Sequence, residues 1–309
     1  TIVNKFVGLG HYKRCHTLAK KAFENNYDIF FLVSSNMNSL NCNENYVYYI
    51  FDKEVNEGIK KISENNRTIK FDAIISDLAI PANFNKEGYL NSVFEKIKTI
   101  SRIHIAIDAF GEISIFKKIP KSNLDLLIIP YVCEIKNHKI NQTHILAGSR
   151  YAVLSEEYSN LPKRNFPKNA NKIVITCGGS DPFNNSTKII NALNKIDKDL
   201  KIRIIIGPLF SKENEKNIND IIENSPHNIK LIMSPESLQE HFLWSDITIS
   251  ASGLTKYELA VTGTPTILFS IDKNHNQINK YFTNVSGFID IGVGIDKNLL
   301  NRETILLLN

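Results

Sequence analysis

Short runs of Ile, Val and Leu recur along the chain, and amphipathic stretches fill the intervals between them. In the first half the runs that predict buried strands are Ile29–Val33, Val47–Phe51, Ala73–Ile75, Ile103–Ile107 and Leu126–Ile129. A second series follows at Ile173–Thr176, Ile202–Ile206, Ile229–Met233, Ile247–Ser250 and Thr266–Phe269. Between them, Cys15–Asn25, Leu90–Ile100, Ser186–Ile196 and Leu254–Val261 place apolar residues at helical spacing. Continuous β-branched runs alternating with amphipathic helices are the pattern of parallel strands covered on both faces. The pattern pauses once, at Leu161–Ala170 (LPKRNFPKNA), where two prolines and three basic residues replace apolar periodicity. The strand–turn–helix alternation restarts directly afterwards. The expected organisation is therefore two Rossmann-like α/β domains, residues 1–165 and 166–309, with parallel sheets facing a central cleft. Ligands of such folds bind in loops that follow the strands.

Three of those loops carry candidate chemistry. The first is Gly8-Leu9-Gly10-His11 followed by Arg14, at the mouth of the first helical stretch. Glycines there let backbone N–H groups approach an anion, and a histidine in such a loop is a natural proton acceptor near neutral pH. A tight strand–helix turn is the plainer reading. His16, further along, is read as structural. The second loop, Cys177-Gly178-Gly179-Ser180-Asp181-Pro182, follows a predicted strand. Gly178, Gly179 and Ser180 suit close approach of a phosphate or sugar, although Ser-Asp-Pro is also an ordinary turn. The third loop, Ser252-Gly253-Leu254-Thr255, leads into a helix carrying Glu258. Its amides suit a diphosphate, and Glu258 suits a pair of ribose hydroxyls. The competing reading is a capping box that pairs Thr255 with Glu258. A polar cluster with Asn276 and Gln277 follows the last predicted strand, where side-chain amides reach sugar or phosphate oxygens.

Composition narrows the partners. The chain has 309 residues, 42% apolar, with a formal charge of +5. Its Lys and Arg are scattered and form no stripe, which argues against nucleic acid and is compatible with an anionic small molecule. No apolar run approaches the roughly 20 residues of a membrane helix, so no stable membrane insertion is expected. No charged segment leads into an apolar stretch near the N-terminus, so no signal peptide is expected. Cys15, Cys42, Cys133 and Cys177 match neither a zinc spacing nor a CxxC redox pair, and are read as reduced packing residues of a cytoplasmic protein. Walker A, HExxH and GxSxG motifs are missing. Gly8 and Gly10 lack the third glycine of a dinucleotide fingerprint, so neither metal nor cofactor is expected.

The stretches GLGHYKRCHTLA, LAGSRYAVLSEEY (Leu146–Tyr158), CGGSDP, SDITISASGLTKYELAVTGTPTIL and Asn276-Gln277 together resemble one family. It is the UDP-sugar hydrolase of pseudaminic-acid biosynthesis with the related spore-coat polysaccharide proteins, more remotely similar to the N-acetylglucosaminyltransferase that makes lipid II. The resemblance implies a GT-B-like fold, UDP held mainly by the second domain and a base, His11, in the first. It also places Asp77 and Asp108 on the sugar side, in the altered contexts Asp77-Leu78-Ala79 and Asp108-Ala109, where the family has Asp-x-Tyr and Asp-Asp. The implied activity is hydrolysis of a UDP-sugar at its anomeric carbon, with amides near Gly253–Thr255 and Arg14 facing the diphosphate. Transfer of the sugar to an acceptor hydroxyl is the alternative, and a non-catalytic nucleotide-sugar binder is a third.

Overall fold

The computed structural model describes residues 2–3, 10–35, 42–51, 57–60, 62, 70–77, 89–107, 124–136, 138–140 and 142–308. It divides into two compact units, Thr1–Val153 and Leu154–Asn309. The expected boundary at 165/166 lies further along the chain. The segment between the two positions packs on the second unit, which is why its Pro162-Lys163 pair misleads. Tyr158 is buried there, and Arg164 donates to the carbonyls of Phe242 (3.1 Å), Thr262 (3.4 Å) and Ser245 and to Thr264 Oγ1 (2.9 Å). A guanidinium satisfied by that many acceptors is an anchor, not part of a free linker.

In the first unit, β1 (Ile2–Val3), β2 (Phe30–Ser35) and β3 (Val47–Phe51) form a parallel sheet in the order β1-β2-β3. Helix α1 (Gly10–Glu24) packs Tyr12 and Ala19 on Phe31, Val33 and Tyr46. His16 stacks on Phe31 at 4.5 Å, and burial lowers its pKa, as suits a packing residue. A second sheet contains β4 (Phe71–Asp77), β5 (Ser101–Ile107), β6 (Leu126–Ile129), β7 (His138–Ile140) and β8 (Thr143–Ala147) in the order β4-β5-β6-β8-β7. Helix α2 (Tyr89–Ile100) runs directly into β5. The β7–β8 pair is antiparallel, an element the apolar runs do not announce because each strand mixes polar and apolar residues over a few positions.

The second unit is one six-stranded parallel sheet. Its strands are β9 (Lys172–Thr176), β10 (Lys201–Ile206), β11 (Asn228–Met233), β12 (Ile247–Ala251), β13 (Thr266–Ser270) and β14 (Ile289–Val293). Helices α3 (Asn185–Leu193), α4 (Lys212–Ile222), α5 (Gln239–Trp244), α6 (Thr255–Val261), α7 (Lys273–Ser286) and α8 (Lys297–Leu308) connect or follow them. Strand residues alternate between two apolar layers. Ile173, Ile175, Ile202, Ile204 and Ile206 join a core with Ile189, Leu193 and Leu300, while Val174 and Ile205 face Phe242 and Leu259. Both faces are thus covered, as continuous Ile/Val runs require. The strand order is β11-β10-β9-β12-β13-β14. This is the doubly wound order in which the chain reverses direction between its first and fourth strands, here β9 and β12.

Candidate active site

Strand β4 ends on Asp77, whose side chain is 0% exposed, and α1 brings two partners to it. The helix starts at Gly10, ahead of the expected Cys15, so His11 and Arg14 lie three residues apart on one helical face. His11 belongs to a helical turn and not to a loop. Arg14 Nε and Nη2 donate to Asp77 Oδ2 (2.6 Å) and Oδ1 (2.7 Å), and Nη1 donates to the Tyr131 hydroxyl at 2.9 Å. His11 Nδ1 lies 2.6 Å from Asp77 Oδ1. An ionised carboxylate only accepts, so Nδ1 carries the proton in this contact, and in the neutral imidazole that leaves the lone pair on Nε2. Burial alone would raise the Asp77 pKa. The charge and hydrogen bonds of His11 and Arg14 outweigh it and hold the carboxyl well below the usual carboxylate range. Burial likewise opposes charge on Arg14, and Tyr131 and Asp77 reverse that effect.

The expected role of Arg14 changes accordingly. At 2% exposure, with three of its nitrogens engaged, its guanidinium holds Asp77 in place and does not meet a diphosphate. Asp77, expected on the sugar side, is the group that orients His11. Tyr131 carries no signal in the sequence, because nothing local ties it to Arg14. Gly8 and Asp108 lie outside the described residues.

In the second unit the two glycine-bearing loops both follow strands at the reversal point. Thr176 of β9 pairs with Ser250 of β12, so the loops leave the sheet at the same level. Gly178 has φ +80°, the left-handed region that favours glycine. Gly179 accepts from Leu209 N at 2.9 Å, and a Cβ on Gly207 would lie 2.4 Å from the Gly179 carbonyl oxygen. Gly207 is therefore what lets the loop after β10 close on the loop after β9. Asp181 caps α3, accepting from the amides of Asn185 and Ser186, both at 2.8 Å. That accounts for the Ser-Asp-Pro turn without a ligand.

The loop after β12 is anchored by Ser252 N, which donates to the Phe269 carbonyl at 2.9 Å. Ser252 Oγ is buried with no hydrogen-bond partner. A Cβ on Gly253 would meet nothing within 4 Å, so packing does not explain that glycine. Helix α6 begins at Thr255 after Leu254, and no side chain caps it. Thr255 is thus inside the helix, one position too late for a capping box with Glu258. Behind this turn Lys256 is buried, its Nζ donating to Asn279 Oδ1 at 3.1 Å, and Asn279 Nδ2 donates to Ser270 Oγ at 3.0 Å. Burial pulls the Lys256 pKa down to about 7, although Asp290 pulls the other way. Asn276 and Gln277 sit in α7, whose first turn is capped by Asp272 accepting from His275 N at 2.8 Å, and not in an irregular loop. Asn276 Oδ1 is another buried atom without a partner.

Among the described residues no group of three or more His, Cys, Asp or Glu is placed to hold a metal, and no helix is long and apolar enough to cross a membrane. The four cysteines form no disulfide.

No family model matches the chain. An uncharacterized protein of Methanocaldococcus jannaschii is 28% identical over 278 residues, covering 85% of this chain and 53% of that protein. The spore coat polysaccharide biosynthesis protein SpsG of Bacillus subtilis is 23% identical over 167 residues, covering 53% of this chain and 48% of its own. The chain spans about half the length of the curated relatives it matches. Among solved structures, Acinetobacter baumannii MurG superposes with TM-score 0.66 at 12% identity, covering 98% of this chain and 89% of that one. Anabaena HepE in complex with UDP-glucose gives 0.57 at 11% identity, covering 96% and 86%. The UDP-GlcNAc 2-epimerase of M. jannaschii gives 0.53 at 15% identity, covering 100% and 91%.

The fold is GT-B-like. These likenesses establish the architecture of the chain. The GT-B-like frame also explains why both glycine-bearing loops of the second unit lie at the strand reversal, the place where open α/β sheets bind ligands.

Proposed function

We propose that the protein transfers the sugar of a UDP-sugar to an acceptor hydroxyl, with the second unit holding UDP and the first supplying the base. The observation that carries this reading is the His11–Asp77 pair. A buried carboxylate held ionised by its partners keeps a proton on Nδ1 of the imidazole and so prepares the neutral ring to take one at Nε2. In the reaction the acceptor oxygen bonds to the anomeric carbon and its proton passes to His11 Nε2. The bond from that carbon to the diphosphate oxygen breaks, and UDP leaves with the electron pair. Asp77 then faces an imidazolium, whose charge it stabilises. General-base assistance of this kind contributes about 10²–10⁴-fold. The solved neighbours, with HepE carrying UDP-glucose, support a UDP-sugar as donor. The unpartnered Ser252 Oγ and open space at Gly253 support the loop after β12 as the nucleotide's seat.

Hydrolysis is the second reading, with water in place of the acceptor. The Gly10-His11 and Arg14 motif, whose His11 and Arg14 side chains meet at Asp77, supports it. One assay separates the two: UDP release from UDP-glucose and UDP-GlcNAc, with and without sugar acceptors. Release that requires an acceptor supports transfer, and release in buffer alone supports hydrolysis. Neither turnover nor UDP binding would end both readings.

A further inference from the structure

Lys256 is 3% exposed, and among the described residues no carboxylate lies within ion-pair distance of its ammonium. Nζ donates to Asn279 Oδ1 at 3.1 Å and lies 5.7 and 5.2 Å from the ring centres of Tyr257 and Phe282. Asp290 of β14 attracts the charge without pairing with it, and its Oδ1 already accepts from the Gly292 amide at 2.9 Å. Tyr257 of α6, Asn279 and Phe282 of α7 and Asp290 of β14 are therefore the groups that face the ammonium among the described residues. A buried ion without a partner either gains a countercharge or gives up its proton. Burial accordingly draws the pKa to about 7, so both forms are populated near neutrality.

The ammonium is also fixed relative to the loop after β12. Lys256 follows Ser252 and Gly253 within one helical turn. Its partner Asn279 donates to Ser270 Oγ at 3.0 Å, at the end of β13. The neighbouring Phe269 carbonyl accepts from Ser252 N at 2.9 Å. Asn279, Ser270 and Phe269 thus tie the lysine back to the loop in front of it.

We propose, on the reading of the second unit as the nucleotide site, that the Lys256 ammonium is the buried countercharge for the diphosphate seated in the loop after β12, acting across that loop without touching the ligand. Opposite charges about 10 Å apart at an effective dielectric near 20 give roughly a tenfold preference for the charged lysine. Seating the anion then raises the lysine pKa by about one unit, and binding draws a proton from solution near neutrality. Affinity is greatest where the free protein already carries that proton, below about pH 7, and declines as pH rises through 7 to 8.

Calorimetric titration of the full chain with UDP between pH 7 and 9, in buffers of different ionisation heat, tests this beside Lys256→Met. The parent should bind UDP about fivefold more weakly at pH 9 than at pH 7, and take up about half a proton at pH 7.5. Lys256→Met fills similar space without the charge. It should bind about fivefold more weakly than the parent at pH 7, match it within twofold at pH 9, and take up less proton; protonation of UDP itself is common to both proteins. Equal affinity and equal proton uptake in the two proteins at pH 7–7.5 would overturn the inference while leaving the nucleotide site intact. So would a deficit of the same size at pH 7 and pH 9, which is what a merely structural lysine gives. Should the variant not fold, the parent decides alone, and a UDP affinity that stays flat from pH 7 to 9 overturns the inference. A parent that does not bind UDP at all would remove the nucleotide reading itself, and the inference with it.

Discussion

Replacing Asp77 by Asn keeps the shape of the side chain and removes its charge, which makes it the sharpest probe of the first-unit cluster. Asp77 accepts hydrogen bonds at 2.6, 2.6 and 2.7 Å from His11 and the Arg14 guanidinium, and a longer one, 3.9 Å, from Cys15 Sγ. An amide offers one acceptor oxygen and turns two donors toward groups that themselves only donate here. Arg14 is then a buried cation without its anion. Removing one partner of a buried pair costs about 3–5 kcal/mol, and that is the expected loss in unfolding free energy at pH 7. The depressed Asp77 pKa fixes the pH dependence. The folded state binds fewer protons than the unfolded one, so the contribution is complete above the unfolded carboxylate pKa of about 3.9. It fades as pH falls below that value. Parent and variant should therefore differ fully at pH 6–7 and converge under strong acid. Urea unfolding should be followed by circular dichroism, because the single tryptophan, Trp244, reports on the other unit. A second variant, Asp77→Leu with Arg14→Met, removes both charges together and should recover most of the loss. If Asp77→Asn unfolds within about 1 kcal/mol of the parent at pH 7, the buried pairing described here is wrong.

Four further outcomes are expected. His11→Ala should lower kcat by about 10²–10⁴-fold and leave UDP affinity within twofold, read by UDP-release kinetics and calorimetry. Glu258→Ala should weaken UDP binding by about 1–3 kcal/mol while shifting stability by less than about 1 kcal/mol; the reverse pattern would make it a helix-stabilising residue. Gly207→Ala should destabilise the second unit by about 1–3 kcal/mol in denaturant titrations followed by Trp244 fluorescence, since its Cβ would lie 2.4 Å from the Gly179 oxygen. Lys256 has a pKa of about 7 in the fold, so burial costs most below pH 7, and the cost disappears toward the unfolded value of about 10.4. Lys256→Met should raise stability by about 1–3 kcal/mol at pH 6, net of leaving Asn279 short of a donor, and by much less at pH 10.

The fold was largely legible because its second unit obeys local rules. Ile173–Thr176 is an unbroken run, and Ile202–Ile206 and Ile229–Met233 are apolar apart from Arg203 and Lys230; each becomes a strand of the parallel sheet, β9 and β10 buried between two helical layers and β11 at its edge. The strand β14 escaped because Asp290 and Gly292 interrupt its apolar run. The hairpin β7–β8 escaped because cross-strand pairing, and not periodicity, holds it together. The segment 154–165 has the composition of a linker, yet Arg164 alone satisfies four acceptors on the second unit. Composition registers the prolines and lysines around Arg164 and not the carbonyls it meets.

The site was legible to the extent that backbone geometry dictates residue type. Gly178 announces itself, because its φ of +80° is one that side chains resist, and Gly253 announces itself by sitting at a strand end. What the loops do with side chains depends on partners far along the chain. His11 and Asp77 are 66 positions apart, and Arg14 and Tyr131 are 117 apart. No spacing rule links them, so the sequence suggested an Arg14 turned toward a ligand when its guanidinium is engaged inside by Asp77 and Tyr131. The same reasoning explains why the informative residues of the second unit are those with unmet bonds. A buried hydroxyl that bonds within the fold is accounted for by the fold, as Thr264 is by Arg164 and Phe242. Ser252 and Tyr158 are buried, unlike the residues on either side of them, and leave their hydroxyls unbonded. Desolvating each costs stability that no hydrogen bond within the fold returns.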